Sequence, residues 1–424
     1  MEVAIIKNTD HPDERILCPY AKKCGGCGYQ GMDYKQQLSL KQKKIRKLLS
    51  SFGHVEPVIG MEDPWHYRYK VHRVLSYKRG GRIVSGMYRE DSHEVVPVSE
   101  CLIEDVKCQE IINAVVSLLQ SFRIRIYDED TGYGLMRHIM VRRGANTGEI
   151  MLILVASSPV FPSKKNFTKA VRDAHPEITT IILNINPKKT TMVLGDRNIV
   201  LYGPGFIYDT LGGIRFRLSP GSFFQVNPVQ AEILFDEAIK AAALTGREKV
   251  IDTYCGTGVI GLLASRHANS VTGTELSPEA VKDASRNAAA NNISNASFVR
   301  ADAGQYMQNL ADKGENADVV FMDPPRSGST RQFLASLVKL NPKKIVYVSC
   351  GPESLRRDLT YLTANGYKTE YIKPVDMFPW TQHIESCVLL ERVSNRKADS
   401  YVKLNVKMED YYRIKDAECG EADG

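Results

Sequence analysis

KVIDTYCGTGVIGLL, residues 249–263, is the stretch that decides the fold. A short apolar run of strand character breaks at Gly256-Thr257-Gly258-Val259-Ile260-Gly261 and resumes as a helix. This is the strand–turn–helix in which glycines let the backbone approach a nucleoside. Outward from it, SVTGTEL, PEAVKDASRNAAANN, SFVRADA, DVVFMDPP and KIVYVSC continue the alternation. Alternating buried strands and helices predict an α/β, doubly wound (Rossmann-like) domain over 211–393, with function at the carboxyl ends of its strands.

The acids around the loop favour one ligand class. Glu275 ends the next strand, where a carboxylate suits a ribose hydroxyl pair. Asp252 precedes the glycines, Asp302 follows the third strand and Asp323-Pro324-Pro325 ends the fourth. Acidic groups suit the cationic methionine end of S-adenosylmethionine better than a pyrophosphate, which points to methyl transfer rather than NAD chemistry. Asp302 reads equally as the cap of the following helix.

Asp-Pro-Pro is followed by Arg326, not by the aromatic residue used to stack a base in amine methylation. Attention moves to Val348-Ser349-Cys350-Gly351-Pro352, which puts a thiol at the next strand end. A thiolate added to C6 of a uracil leaves electron density at C5, which can then attack a methyl sulfonium. A base must afterwards remove the C5 proton so that the thiol can leave. Glu385 in FPWTQHIES is the candidate base and His383 its rival. Cys255 and Cys387 read as packing.

Nine cysteines cannot all pair, and their spacing is not a disulfide framework. Cys18, Cys24 and Cys27 lie close together in CPYAKKCGGC, with Cys101 or Cys108 as a fourth ligand; spacing leaves zinc and an iron–sulfur cluster both open. A basic helix over about 33–52 follows, its apolar face at Leu38, Ile45, Leu48 and Leu49 and its cations from Lys41 to Lys47 either solvated or set against phosphate. From Trp65 to Pro204 short β-rich runs predict a mostly antiparallel sheet. Its Arg68, Lys70, His72, Arg73, Arg137, Arg142 and Arg143, interleaved with Tyr67, Tyr69 and Tyr77, read either as an RNA-binding face or as polar outer faces. Residues 1–210 thus form an N-terminal β-rich region with the cysteines, and 394–424 a polar tail.

With 424 residues, 43% hydrophobic and 25% charged, the chain is not disordered as a whole. A net charge of +7 leans toward an anionic partner. No apolar run spans a membrane and the first residues lack the order of a signal peptide, so a cytoplasmic protein is expected.

Together, CPYAKKCGGC, GSFFQVNP, IDTYCGTG, MDPPR, VSCGP and FPWTQHIES resemble the RNA uracil-5 methyltransferase family, in its branch that methylates 23S ribosomal RNA and carries a [4Fe-4S] cluster. The likeness runs from Cys18 to about Arg392. It implies S-adenosyl-L-methionine held by Gln225, Tyr254, Glu275 and Asp323 beside Gly256, Gly258 and Asp302. It implies Cys350 as nucleophile and Glu385 as base. It also implies a cluster on Cys18, Cys24, Cys27 and Cys101, with Cys108 outside. The cluster would brace loops, since methyl transfer moves no net electrons, and the transfer-RNA branch generally lacks these cysteines.

Only seventeen residues precede Cys18, so the small RNA-binding β-barrel of many relatives is expected to be absent. RNA affinity then falls to the basic helix, the sheet domain and the cleft. The expected partner is 23S ribosomal RNA with a flipped uridine, bound by a monomer, with neither DNA nor membrane. The alternatives are the same chemistry on transfer RNA and a non-catalytic RNA-binding protein stapled by metal.

Overall fold

The computed structural model describes residues 18–89, 92–189 and 192–393. The tail expected over 394–424, Cys419 with it, lies outside these residues. Among them no helix is long and apolar enough to cross a membrane.

The chain opens with a short turn of helix, α1 (Ala21–Cys24), and then α2 (Tyr34–Leu49), capped by Asp33, whose carboxylate accepts from the Lys35 and Gln36 amides. The first sheet follows in β1 (Lys70–Tyr77), β2 (Ile83–Tyr88) and β3 (Val95–Pro97), then α3 (Val106–Ser121), β4 (Met136–Arg143), β5 (Ile150–Ala156), α4 (Lys164–Ala174), β6 (Ile178–Ile185) and β7 (Arg197–Tyr202). Its order is β3-β2-β1-β4-β5-β6-β7, antiparallel except for the β5–β6 pair that α4 connects. The alternation of the strands gives it two apolar faces. Val71, Ile139, Val141 and Leu152 pack on α3 and α4, while Met140, Met151 and Ile153 face the second half of the chain.

A hairpin of β8 (Ile207–Leu211) and β9 (Ile214–Leu218) and helix α5 (Pro228–Ala242) lead into the doubly wound part. That part runs β10 (Lys249–Thr253), α6 (Val259–Ser265), β11 (Ser270–Glu275), α7 (Pro278–Ala290), β12 (Ala296–Arg300), α8 (Ala303–Asp312), β13 (Val319–Met322), α9 (Arg331–Leu340), β14 (Lys344–Ser349), α10 (Pro352–Ala364), β15 (Tyr367–Val375) and β16 (Glu385–Arg392). The sheet order β12-β11-β10-β13-β14-β16-β15 reverses direction at β10, so the loop after β10 opens at a topological switch point. β16 is antiparallel to both its neighbours.

Two readings of the cations are corrected. The buried stripe of α2 is Gln37, Lys41, Ile45 and Leu49, spaced four apart; it keeps Ile45 and Leu49 of the expected face and puts Gln37 and Lys41 where Leu38 and Leu48 were expected. Lys41, fully buried, donates to Asp376 Oδ1 at 2.5 Å and to the Phe378 carbonyl at 3.0 Å, so it is not free for phosphate. In the sheet, Arg73 is buried against Glu104, Arg137 against Glu129 at 2.8 Å, and Arg142 donates to the carbonyls of Ser219 and Ser222. Arg143 pairs with Asp105 at 2.7 Å, and the hydroxyl of buried Tyr67 donates to the Pro379 carbonyl. Arg73, Arg137 and Arg142 are thus internal ties rather than polar outer faces, since a buried cation is retained only with partners, whereas Arg143 stays partly exposed.

Lys41→Met leaves Asp376 buried without its cation and should cost about 3–5 kcal/mol. The double variant Lys41→Met/Asp376→Leu should recover most of that loss. Urea denaturation of the two proteins checks this, and equal stabilities would contradict it.

Candidate active site

Each loop glycine has a separate reason to be one. Gly256 sits at φ +55° and Gly258 at φ +84°, backbone that other residues adopt only with strain. A Cβ on Gly258 would also lie 2.8 Å from the Phe298 ring. At Gly261 a Cβ would come within 2.9 Å of the Asp252 carboxylate, which instead accepts the Gly261 amide at 2.8 Å. Non-glycine Tyr254, at φ +59°, turns its ring into the space above β10.

One cavity is lined by Gln225, Asp252, Tyr254, Gly256 and Asp323, with Phe223 exposed at its rim. Gln225 is brought there by a loop anchored twice. The Val226 carbonyl accepts the Tyr69 amide, and Asn227 both caps α5 and donates to the Met377 carbonyl at 3.0 Å. Glu275 lies just outside the cavity, its carboxylate accepting the amides of Gly256 at 3.2 Å and Ser277 at 2.8 Å. Asp302 does not line the cavity; it caps α8 by accepting the Gln305 amide at 2.9 Å.

The cavity is electrostatically short of a cation. Burial pushes Asp252 up to about 8, with Asp323 and Glu275 adding repulsion, and Asp252 Oδ1 has no partner. Burial alone pushes Asp323 up to about 7. A cationic ligand would relieve both carboxyls, since an opposite charge favours the ionised form.

Strand register creates the second half of the site. β14 and β16 pair with Ser349 opposite Ser386, so the next step of the ladder sets Cys350 across from Glu385. Residues directly opposite share a face of the sheet. Cys350 is half-buried and its thiol is pushed up to about 11 by burial, then by Glu385 and Asp323, with Arg326 opposing. Glu385 is buried and held up to about 8 by burial and by Asp323, again with Arg326 opposing. The rival, His383, sits edge-on to Phe378 at 6.1 Å, and burial and then Arg326 hold its imidazole below the usual value. Cys255 and Cys387 are buried in the packing.

Arg326 is the residue that sequence reasoning used only negatively, as a missing aromatic. Its charge is felt by both Cys350 and Glu385. Its loop is fixed because the Arg326 carbonyl accepts from Ser354 Oγ at 2.9 Å and because a Cβ on Gly351 would meet that carbonyl at 2.5 Å.

Cys18, Cys24, Cys27 and Cys101 line a single small cavity between the α1 loop and the loop before α3. Burial raises the thiols of Cys27 and Cys101, the latter to about 12, and each feels another cysteine of the set. Cys108 is apart from them, buried in α3. Among the described residues no three His, Cys, Asp or Glu side chains are grouped tightly enough to hold a single ion. The cysteine loop also touches the catalytic half: the Tyr29 amide donates to the Trp380 carbonyl, and Gly28 lies under the Gln382 side chain.

A family model described as tRNA (uracil-5-)-methyltransferase matches residues 209–393. An uncharacterized RNA methyltransferase of Halalkalibacterium halodurans is 42% identical over 379 residues, covering 88% of this chain and 82% of its own. Another, from Caldanaerobacter subterraneus, is 43% identical over 397 residues, covering 92% and 87%. Among solved structures, the Pyrococcus abyssi tRNA (uracil-54, C5)-methyltransferase in complex with S-adenosyl-L-homocysteine superposes with a TM-score of 0.71. It is 28% identical to this chain and covers 87% of it, which is 86% of the solved chain.

The raised Glu385 carboxyl carries a stability consequence. An unfolded glutamic acid ionises near about 4.3, whereas the folded one is held to about 8. The folded state therefore keeps its proton longer: stability is full below the unfolded value, falls as pH rises toward about 8, and levels beyond it. Glu385→Gln should flatten that fall and be the more stable protein near pH 8 in thermal melts. Parallel pH profiles for the two proteins would contradict the assignment.

Proposed function

The chain belongs to the S-adenosylmethionine-dependent RNA uracil-5 methyltransferase family, and from that premise we propose that it methylates C5 of a uridine in 23S ribosomal RNA through a covalent bond between Cys350 and C6. The observation that carries this reading is the nearness of the Cys350 thiol, one residue beyond β14, to the buried Glu385 carboxyl that opens β16 and to Asp323, at the carboxyl edge of the sheet.

S-adenosylmethionine supplies an electrophilic methyl group next to a positive charge. The cavity fits that charge, because buried Asp252 and half-buried Asp323 feel no nearby cation and Asp252 Oδ1 is unpartnered. Gln225, Tyr254 and Asp323 would hold the amino-acid end and the sulfur region. Gly256 and Gly258 leave room for the nucleoside, and Glu275 would accept from the ribose hydroxyls with the lone pairs its two backbone donors leave free. Asp302 keeps its capping role.

Cys350 gives its proton to solvent and its sulfur bonds to C6, moving the C5–C6 electron pair onto C5 and O4. Arg326 offsets the charge of the thiolate, which burial opposes. C5 forms its bond to the methyl carbon as the methyl–sulfur bond of the sulfonium breaks, its electron pair staying on sulfur as a neutral thioether. Glu385, as carboxylate, takes the C5 proton, the C5–C6 double bond re-forms and the C6–S bond breaks, returning the thiolate. A carboxyl poised at about 8 gives up and takes back a proton near neutral pH, which suits a base that must reset each turnover.

Cys18, Cys24, Cys27 and Cys101 fit an iron–sulfur cluster better than zinc. The support is the donor set, four thiols lining one cavity, together with the likeness of CPYAKKCGGC and SECLIED to the cluster-bearing branch. Bound there it would stiffen the Tyr29 loop that rests on Trp380. The same chemistry on transfer RNA is the second reading, favoured by the substrate in the name of the Pyrococcus abyssi protein.

The test is transfer of labelled methyl to unmodified 23S ribosomal RNA and unmodified transfer RNA in parallel, using protein purified without oxygen and assayed for iron. The expected result is 5-methyluridine in ribosomal RNA alone, loss of at least a thousand-fold in Cys350→Ala on the scale of a removed nucleophile, and iron bound to the chain. Label confined to transfer RNA overturns the substrate, and iron-free active protein overturns the cluster.

A further inference from the structure

β1 starts beside the active site and carries Arg68, Lys70 and His72 at every second position of its approach and first residues. Lys70 lies directly opposite Arg142 on β4 and His72 opposite Met140, which places both on the face turned toward the catalytic half. The groups on this face do not neutralise one another. The charged neighbour acting on Lys70 is Arg142; on His72 they are Lys70 and Arg73; on His138, whose ring is 4.9 Å from that of His72, they are His72 and Arg137. The nearby carboxylates are already engaged: Glu104 by Arg73, Glu129 by Arg137, and Asp209 by the amides of Ala145 and Asn146.

What remains is a row of basic groups that the fold does not fully engage, the Arg68 side chain being shared with Tyr67 and Glu104. The Lys70 side chain has no hydrogen bond or ion pair among the described residues, its backbone alone being taken up in the ladder with β4. His72 Nε2, His138 Nδ1 and Arg68 Nε are buried with no partner. Arg142, facing Lys70, is committed to the carbonyls of Ser219 and Ser222 in the segment that leads to Gln225. The Arg68 guanidinium lies 5.8 Å from the Phe378 ring, in the loop that leads to Glu385. Burial holds both imidazoles down, so they carry no charge near neutral pH; buried polar nitrogens without partners are costly to keep, and the cost is relieved when a ligand brings the partners.

We propose that Arg68, Lys70 and His72 form a track for successive RNA phosphates running into the Cys350–Glu385 site, with Lys70 as its main contact. The inference rests on the reading of the chain as an RNA-modifying enzyme and adds where the backbone of the substrate lies. Alternate residues of a strand are about 6.6 Å apart, a repeat that matches the backbone of an extended single strand, and a uridine taken out of its stack leaves its flanking phosphates extended in this way. Burial and Arg142 hold the Lys70 ammonium down to about 7, a penalty that a phosphate at Nζ would remove.

The test is the affinity of the full chain for a single-stranded oligouridylate, read by fluorescence anisotropy over a salt series. Lys70→Met should weaken binding about ten-fold at low salt and lower the slope of log affinity against log salt by about one. Lys70→Arg should restore both, while S-adenosylmethionine binding, measured calorimetrically, stays unchanged in each variant. Wild-type affinity and slope in Lys70→Met overturn the track. A weaker affinity with an unchanged slope and no recovery in Lys70→Arg overturns it too, since that is the signature of a structural role. The assay reads binding alone, so a chain that failed to methylate RNA would still pass or fail here on its own account.

Discussion

The antiparallel pairing of β16 with β14 is the constraint on which the site depends. β14 is the last strand of the parallel run before the sheet turns back, and its carboxyl end presents Cys350 to the cleft. Only a strand entering from the opposite direction, starting at that same edge, can lay its first residue beside the last of β14. Ser349 opposite Ser386 fixes that register, and a slip of one residue would turn Glu385 to the other face. The low dielectric that raises both groups follows from the same pairing, because the carboxyl is closed in by β15 on its far side, where Val375 pairs with Glu385.

The approach to β16 is held by the N-terminal half. Between Asp376 and Gln382 the chain is gripped at nearly every step. Lys41 and Tyr34 hold Asp376, the Tyr67 hydroxyl reaches Pro379, and Gln37 accepts the Trp380 amide. The Trp380 indole stacks on Trp65 at 4.0 Å and donates to the Pro64 carbonyl. The same loop rests on Tyr29 and Gly28, next to the cysteines. A rigid carboxyl beside the thiol is thus bought with contacts from a region distant in sequence, which gives the four-cysteine loop a mechanical route to the site without any electron transfer.

The doubly wound fold was legible because it is written locally: strand, glycine turn, helix and the acids at strand ends repeat on a short period. The β-rich first region was legible for the same reason, through its turns and alternation. Cys350 and Glu385 could be selected by chemistry, yet their adjacency depends on the crossing of β16 between β14 and β15, which no local pattern encodes. Sequence failed for the cations because charge says nothing about burial. Lys41, Arg73, Arg137 and Arg142 look like surface residues and prove to be internal ties, each with a carboxylate or carbonyl distant in sequence or across a loop. Arg326 was visible as an oddity after Pro-Pro, and its nearness to both reactive groups required the packing of Gly351 against its carbonyl.

The central claim is that Cys350 bonds to the uracil and Glu385 lets it go. Glu385→Gln, incubated with S-adenosylmethionine and unmodified RNA and then denatured, should be found by intact mass analysis as a protein–RNA adduct carrying one added methyl group, and the Cys350→Ala/Glu385→Gln protein should carry none. Normal turnover by Glu385→Gln with no adduct, or an adduct that persists without Cys350, would contradict the account.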